Sequence, residues 1–261
     1  MNRAVIALLT DFGTQDAFVG IMKGVILSLN PEIQLVDLSH EVPAQNILVG
    51  ALLLRSAAPF FPPGTIHVAI VDPGVGSERR ALLVETQQAF FLGPDNGLLS
   101  LVVPAEAVVR IIHLSNEDFF LARRSHTFHG RDVFAPVAAQ VARGVAVEQF
   151  GPSIPQMERI ALPAVERKET ELIGSVIYID HFGNVVSNIT EADVRPFSRE
   201  RLLVSIDNVR IKGVVSTYAA VEIGAPMALI NSWGMLEIAV RNGSAAQQFG
   251  IHLGCPIHLT I

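Results

Sequence analysis

The sequence predicts an α/β protein with two domains, and three observations support this prediction. Apolar strand-like runs alternate with helical patterns over the first 155 residues, which is typical of a mostly parallel sheet with right-handed crossovers. The last third carries short strands and turns and no long amphipathic helix, which favours a barrel. Between them, residues 151–171 hold three prolines and several charges without periodicity, as linkers do. We therefore expect an N-terminal, mostly parallel α/β sheet domain over 1–155 and a smaller C-terminal all-β barrel domain over 170–261.

The elements of the first domain follow from apolar periodicity and turn residues. Residues 4–9 read as a buried strand, and apolar residues at helical spacing over 18–29 predict a helix that Asp16 caps and Pro31 ends. Residues 93–97, GPDNG, predict a turn that leads into a short helix. The other predicted elements are strands over 33–38, 66–71, 81–85, 89–92 and 108–113, a helix over 44–60 and a helix through Val141 with Pro136 in its first turn.

The second domain is predicted to consist of short strands. The pair Asp207-Asn208 indicates a hairpin turn between two of them. The predicted strands cover residues 171–179, 184–189, 201–206, 209–212, 227–231, 236–240 and 256–261.

The composition excludes several classes of protein. Half of the 261 residues are hydrophobic and 17% are charged, which is typical of a folded chain with an ample core. A formal net charge of -6 without a run of Lys and Arg argues against a nucleic-acid partner. Cys255 is the only cysteine, which excludes an internal disulfide. The apolar runs at 4–9 and 47–54 are too short for a secretory signal or a membrane span, so we expect a soluble, cytoplasmic protein with no membrane partner.

Two predicted strands of the first domain are followed by carboxylates. Asp11 follows the strand at 4–9, and Asp72 follows the strand at 66–71, where proline and glycine open a loop that also carries Arg79 and Arg80. Parallel strands end at the same edge of a sheet, and ligands bind at that edge in α/β proteins. We therefore expect Asp11 and Asp72 to converge on a functional site, although a strand-terminal Asp also commonly caps its own turn.

A second polar cluster, HTFHGRD at 126–132, precedes the predicted helix that contains Pro136. Backbone N–H groups at a helix N-terminus favour an anion or an oriented water. His129 is the candidate functional residue of this cluster, and its alternative role is that of a hydrogen-bonded, buried imidazole.

Two polar turns stand out in the second domain. The turn DHFGN at 180–184 carries Phe182 and Asn184, an aromatic ring and an amide that suit stacking on and hydrogen bonding to a purine. The turn NSWG at 231–234 leads to Glu237. Each turn alone is a weak signal, because Gly-Asn and Asn-Gly pairs are common in ordinary turns.

Taken together, these motifs resemble the family of S-adenosylmethionine (SAM) hydrolases that form adenosine. The family is also called SAM hydroxide adenosyltransferases and is related to the SAM-dependent fluorinase and chlorinase. The matching segments occur in the expected order over nearly the whole chain. They are TDFG at 10–13, VDPGVG at 71–76 with Arg79, GPDNG at 93–97, FHGRDVFAP at 128–136, DHFGN at 180–184 and NSWGMLEIAV at 231–240.

The resemblance implies a homotrimer in which each active site lies between the N-terminal domain of one subunit and the C-terminal domain of its neighbour. It also implies roles for individual residues, with Asp72, Arg79 and His129 handling the water. The implied substrate-binding residues are Asp11 for the ribose hydroxyls, Phe182 and Asn184 for adenine, and Asp180 and Ser232 for the amino-acid group of methionine, with Glu237 as a looser candidate.

These residues suit water attack at C5′ of SAM, which displaces methionine and leaves adenosine. The sulfonium leaves as a neutral thioether, so the reaction needs neither a general acid for the leaving group nor a metal, and no cofactor is expected because SAM is the substrate. Aligning the water can contribute about 7–11 kcal/mol, and proton removal by a placed side chain is worth on the order of 10²–10⁴-fold. Either Asp72, paired with Arg79, or His129 accepts the proton.

Other functions remain open at the level of sequence. Asp11, Asp72, His126 and His129 suit the metal site of a phosphoester hydrolase. A SAM-dependent halogenase is disfavoured, because Asp72 and Gly130 stand where the halogenating relatives carry Tyr and Ser. A non-catalytic adenosine- or SAM-binding protein would use the same pocket. Trp233 stands where the fluorinase has Arg, which leaves the partner of the methionine carboxylate open.

Overall fold

The computed structural model describes residues 4–260. The chain divides into two compact units, Met1–Ala161 and Leu162–Ile261. The elements of the first unit are β1 (Val5–Thr10), α1 (Phe18–Leu29), β2 (Gln34–Ser39), α2 (Ile47–Ala57), β3 (Thr65–Ile70), β4 (Ala81–Thr86), β5 (Ala89–Pro94), β6 (Val108–His113) and α3 (Ala135–Ala142).

The first unit is built on a six-stranded sheet in the order β2-β1-β3-β5-β4-β6. Strands β2, β1, β3 and β5 run parallel to one another, whereas β4 pairs antiparallel with both β5 and β6. All six residues of β3 are buried, as expected for a parallel strand covered on both faces. Met22 and Ile26 of α1 pack with Val137 and Ala138 of α3 in the main core. The predicted mostly parallel α/β sheet is confirmed.

Three local predictions in this unit are wrong. Helix α1 begins after Ala17 without a side-chain cap, so Asp16 does not cap it. The predicted helix over 44–60 is shorter: α2 is capped by Asn46, whose side chain accepts from the Val49 N–H at 3.1 Å, and a 3₁₀ turn continues it over Ala58–Phe60. Residues 98–102, all of them described, form turns instead of the predicted short helix.

The second unit is almost entirely β-structure. Its elements are β7 (Glu166–Arg167), β8 (Glu171–Ile179), β9 (Val185–Thr190), α4 (Glu191–Val194), β10 (Leu203–Ile206), β11 (Val209–Lys212), β12 (Pro226–Ile230), β13 (Met235–Val240), α5 (Ala245–Phe249) and β14 (Pro256–Thr260).

The strands of the second unit form a nearly closed antiparallel barrel. The sheet order is β11-β10-β14-β8-β9-β13-β12, with β7 paired to β8. A bridge between Val215 and Leu229 brings the chain beyond β11 to β12, which leaves little exposed edge. The interior is filled by inward-facing residues such as Val204, Leu236 and Ile257. The predicted barrel is therefore confirmed.

Residues 151–171 are not a free linker. The Glu158 N–H donates to Asp95 Oδ1 at 2.7 Å, and the Ile160 N–H donates to Ser100 Oγ at 3.1 Å, both within the first unit. Gly97 makes this packing possible, because a Cβ there would lie 2.4 Å from Ile160. Strand β7 then belongs to the barrel. Over residues 4–260, no helix has both the length and the apolar character required to span a bilayer.

His67 is a buried imidazole in the middle of β3. It is 1% exposed, it stacks on Phe91 at 5.0 Å, and Phe61 packs edge-on at 5.3 Å. Neither ring nitrogen has a hydrogen-bond partner among the described residues. Burial lowers the pKa of His67 from 6.5 to about 4, since the charged form loses its hydration.

We expect His67 to make the protein less stable in acid. The unfolded chain binds a proton on this ring near pH 6.5, whereas the folded chain binds it only near pH 4, so falling pH favours unfolding. The free energy of unfolding should drop by about 3 kcal/mol more in the wild type than in His67→Leu between pH 6.5 and 4. Denaturant titrations of both proteins at several pH values measure this, and parallel pH curves would contradict it.

Candidate active site

The carboxyl ends of β1 and β3 bring Asp11 and Asp72 to one edge of the sheet. The two strands are parallel neighbours, with Thr10 opposite Ile70. The Asp11 N–H donates to the Ile70 carbonyl at 3.3 Å, and Asp11 Oδ2 accepts from the Gln45 N–H at 2.8 Å. The convergence expected from the sequence therefore occurs.

Asp72, Arg79 and His129 form one hydrogen-bonded set. Arg79 Nε donates to Asp72 Oδ1 at 2.8 Å, and its Nη2 donates to Asp72 Oδ2 in a two-point ion pair. The same Nη2 lies 2.9 Å from His129 Nδ1. The side chains of Asp72 and Arg79 are 6% and 10% exposed, so solvent screens this pair little.

The contact with Arg79 determines the tautomer of His129. A guanidinium has only donors, so His129 Nδ1 accepts and the proton of the neutral ring lies on Nε2. Burial, followed by the positive charge of Arg79, lowers the pKa of His129 below 6.5, although the charge of Asp72 acts in the opposite direction. His129 is therefore a neutral imidazole at neutral pH, with Nε2–H as its free donor.

Two glycines allow the loops to approach. Gly76 has φ +79°, and a Cβ there would lie 2.4 Å from the His126 carbonyl oxygen, so the loop after Asp72 packs directly on the segment that leads to His129. At Gly130 a Cβ would lie 3.1–3.2 Å from Met22, Ile70 and other atoms. The contact at Gly76 therefore brings the segment before His129 against the loop that carries Arg79, whereas Gly130 leaves room for Met22 and Ile70.

His129 precedes a π-helical turn, Gly130–Phe134, that continues into α3. Such turns occur frequently at functional sites. Asp132 is fully buried within the turn and accepts from the Ser125 N–H at 2.7 Å and from Arg131 Nε at 2.5 Å. Burial opposes ionisation of Asp132, but these bonds outweigh it and lower its pKa. The sequence predicted a helix through Val141 with Pro136 in its first turn, and it gave no signal for the π-turn that precedes it.

An open cavity of about 410 Å³ lies beside this set. Its polar lining includes Asp11, Asp72 and His129. Its aromatic lining consists of Phe12, Phe18 and Phe128, which make mutual edge-to-face contacts at 5.2–5.9 Å. Phe12 and Phe128 lie inside motifs that the sequence had singled out, whereas Phe18 reads as an ordinary apolar position of α1.

Arg80 and His126, which belong to polar segments noted in the sequence, do not line this cavity. Arg80 pairs with Asp95 through Nε at 2.7 Å. His126 lines a neighbouring cavity of about 300 Å³ together with Arg79 and His129. Within residues 4–260, no group of three or more His, Cys, Asp or Glu side chains is arranged to hold a metal ion, and this includes the four residues considered for one.

The turn DHFGN of the second unit is held by Asp180. Oδ1 accepts from the N–H groups of Phe182 and Asn184 at 2.9 and 2.8 Å, and Oδ2 accepts from Asn184 Nδ2 at 2.9 Å. The Asn184 amide is thereby oriented, with one of its two N–H donors already engaged by Asp180. Phe182 is 72% exposed and lines a cavity of about 710 Å³ with Asp180, Asn184, Tyr218 and Arg241.

Glu237 and Ser232 line a second cavity in this unit, of about 380 Å³. Glu237 is 3% exposed, and it accepts from Tyr218 Oη at 2.7 Å and from Asn231 Nδ2 at 3.1 Å. Burial raises the pKa of Glu237, and these two hydrogen bonds offset part of that rise. Trp233 stacks on Tyr178 at 5.2 Å, and both rings line the cavity. Tyr218, which lines both cavities, had no signal in the sequence.

Comparison with known proteins gives this arrangement a family. The model of the SAM hydroxide adenosyltransferase N-terminal domain matches residues 6–151, and that of the C-terminal domain matches residues 174–258. The chain belongs to the SAM hydroxide adenosyltransferase family. The resemblance inferred from the motifs is thus confirmed.

Individual relatives agree with this membership. A protein of Salinispora tropica named (R)-S-adenosyl-L-methionine hydrolase is 35% identical over 98% of this chain and 97% of its own length. A protein of the same name from Methanocaldococcus jannaschii is 37% identical over 95% of this chain and 92% of its own length. A fluorinase of an Actinoplanes species is 27% identical over 98% and 97%.

A crystal structure of a conserved protein from Thermotoga maritima shares the fold of this family member. Its TM-score to this chain is 0.91 at 32% identity, with 98% of this chain and 100% of the other covered.

The tautomer of His129 is directly testable by NMR of ¹⁵N-labelled imidazole. We expect an unprotonated Nδ1 at neutral pH and a pKa below 6.5. In Arg79→Leu the pKa should rise, because a neighbouring cation is lost while the Asp72 charge remains. His129→Asn assigns the signal. A proton on Nδ1 at neutral pH, or a pKa above 6.5, would contradict the assignment.

Proposed function

We propose that this chain hydrolyses S-adenosyl-L-methionine to adenosine and L-methionine. The observation that supports this most directly is the contiguous set Asp72–Arg79–His129 beside a cavity that three phenylalanines help to line. Membership of the SAM hydroxide adenosyltransferase family supports the same reaction. Because the hydrolase relatives are named for the (R) form, we propose that the (R)-sulfonium epimer is accepted here.

The reaction balances without a co-reactant. The water oxygen forms a bond to C5′, the C5′–S bond breaks, and its electron pair neutralises the sulfonium, which leaves as the thioether of methionine. One proton of the water is released. The protein therefore has three tasks, which are to align the water with the C5′–S bond, to keep other water away and to accept that proton.

We assign the proton to Asp72 and the orientation of the water to His129. The Nδ1 lone pair of His129 is already occupied by Arg79, so the ring offers only its Nε2–H, which can donate to the water oxygen. Asp72 accepts two bonds from Arg79, and a carboxylate has about four lone-pair sites, so acceptor capacity remains for the water. The proton transfers as the C–O bond forms, because a carboxylate is too weak a base to make free hydroxide first.

The aromatic wall and Asp11 are assigned to the nucleoside. Phe12 and Phe128 keep bulk water from the reacting carbon, and Asp11 holds the ribose hydroxyls, with Oδ2 fixed by the Gln45 N–H. Holding the sugar in this way aligns C5′ with the water, and alignment contributes about 7–11 kcal/mol in favourable systems.

The residues of the second unit are assigned to the two ends of SAM. Phe182 and Asn184 would hold adenine, whereas Asp180, Ser232 and Glu237 would surround the methionine end, where Trp233 and Tyr178 form an aromatic wall. As the family resemblance implies, we propose a homotrimer in which the second unit of one subunit serves the first unit of its neighbour. We also propose a cytoplasmic location, as the composition of the sequence led us to expect. SAM is the substrate, and no cofactor takes part.

The activity is tested by chromatography of an incubation with each SAM epimer, with and without chloride. With the (R) epimer we expect adenosine and methionine both in the presence and in the absence of chloride, and no chlorinated nucleoside in either incubation. Asp72→Asn should lower kcat on the order of 10²–10⁴-fold while the Kd of the neutral product adenosine stays within about threefold, because the shape of the side chain is kept.

Arg80→Gln is the matched control for Asp72→Asn, since it breaks the comparable ion pair with Asp95 away from the aromatic cavity. Its kcat should match that of the wild type. Intact SAM after prolonged incubation with the wild type would refute the activity. Wild-type turnover in Asp72→Asn would refute only the role of Asp72.

Sharing of the site between subunits is tested by complementation. Asp72→Ala and Asn184→Ala should each be nearly inactive as pure proteins. Mixed trimers obtained by co-expression should regain activity, because some sites then combine an intact first unit with an intact second unit. Sedimentation gives the oligomeric state, and mixed trimers without activity would argue against a shared site.

A further inference from the structure

Thr10 and His40 join two loops beneath the aromatic cavity. Thr10 is the last residue of β1 and His40 follows β2, and both are buried, at 0% and 6% exposure. Thr10 Oγ1 lies 2.8 Å from His40 Nδ1 and also accepts from the Phe12 N–H at 3.2 Å. Neither residue lines the cavity itself, so any effect on a ligand has to pass through the residues that do.

The hydrogen-bond directions follow from the far side of the imidazole. His40 Nε2 lies 3.1 Å from Asp37 Oδ1. A bare nitrogen lone pair facing a carboxylate would be repelled, so in the neutral ring the proton lies on Nε2 and Nδ1 accepts from the Thr10 hydroxyl. Lys23 of α1 completes the series by donating to Asp37 Oδ2 at 2.6 Å.

Backbone contacts continue this connection up to Asp11. The Gly13 N–H donates to the His40 carbonyl at 2.8 Å, and the Val42 N–H donates to the Thr10 carbonyl at 3.4 Å. At the end of the same loop, the Gln45 N–H donates to Asp11 Oδ2. The loop after β2 therefore contacts the TDFG segment on both sides of Asp11 and holds one of its carboxylate oxygens.

We propose that Thr10 and His40 are positioning residues that fix the Asp11 carboxylate and the Phe12 ring for a nucleoside. This rests on the proposed function, because it takes Asp11 to bind ribose. The Thr10 hydroxyl uses its donor on His40 and an acceptor site on Phe12, so its removal leaves a ring nitrogen and a backbone N–H unpaired in a buried place. Both loops then gain freedom at the point where Asp11 is held.

The exposed ion pair between Lys23 and Asp37 is expected to contribute less to positioning than the buried Thr10–His40 contact. Lys23 and Asp37 have side-chain exposures of 31% and 43%, and ion pairs of that kind are screened by solvent. The proposal therefore places the positioning effect on the buried Thr10–His40 contact and expects Lys23→Met to bind adenosine nearly as the wild type does.

The test compares two threonines of one sheet. Thr10→Val keeps the shape and removes the hydroxyl, Thr10→Ser restores it, and Thr65→Val removes a comparable buried hydroxyl that donates to the Pro62 carbonyl at 2.7 Å in β3. We expect Thr10→Val to raise the Kd of adenosine and the KM of SAM about tenfold, because a tenfold change corresponds to the typical contribution of one buried hydrogen bond. Thr10→Ser should recover most of this, and Thr65→Val should leave both constants unchanged.

A double-mutant cycle with His40→Asn adds a readout that a general loss of stability does not give. If the two residues act through their contact, the effects on Kd should not add in Thr10→Val/His40→Asn. Three results would each overturn the proposal. They are additive effects of the two substitutions on the Kd of adenosine, an equal increase of that Kd in Thr65→Val, and a wild-type Kd in Thr10→Val.

Hydrogen exchange separates this proposal from the proposed function. The amides of Phe12, Gly13 and Gln45 should be protected in the wild type and should exchange faster in Thr10→Val, whether or not the protein acts on SAM. A wild type that neither binds adenosine nor cleaves SAM would refute the proposed function. Unchanged exchange at these three amides would refute the coupling of the loops.

Discussion

The guanidinium of Arg79 is the interaction on which the rest of the candidate site depends. It donates to both oxygens of Asp72 and to one nitrogen of His129, and Phe134 packs against it at 5.8 Å. Because a guanidinium has only donors, a single group orients the carboxylate and selects the tautomer of the imidazole. The orientation of Asp72 and the tautomer of His129 on the cavity wall thus follow from one side chain in a place with little solvent.

The scaffold around Arg79 explains how distant segments meet with this accuracy. Asp72 and Arg79 share one loop after a fully buried parallel strand, whereas His129 lies directly before a π-turn some fifty residues later. Gly76 lets these segments touch through the backbone. Strands and helices hold reacting groups more rigidly than loops alone. The loops of this site are anchored directly to the sheet, which restricts the positions of their side chains.

The second unit shows the same principle with polar turns. Asp180 uses its carboxylate to hold Phe182 and Asn184, and buried Glu237 ties Tyr218 to the turn that carries Trp233. These carboxylates are occupied by the protein before any ligand arrives. Side chains restrained in this way lose less conformational entropy when they bind, which favours recognition by groups already in place.

The sequence by itself determined the two-domain α/β and barrel organisation, the carboxylates that follow β1 and β3, and the family. These features follow from local periodicity, turn residues and short motifs. Such signals lie within a short stretch of sequence and can be identified without knowing which distant residues it contacts. The tertiary structure alone decided the tautomer of His129, the π-turn behind it, the use of Asp180 within its own turn and the role of Tyr218. Each depends on which donor meets which acceptor, and for His129 and Tyr218 those partners lie fifty and nineteen residues away, in contacts that only the folded packing creates.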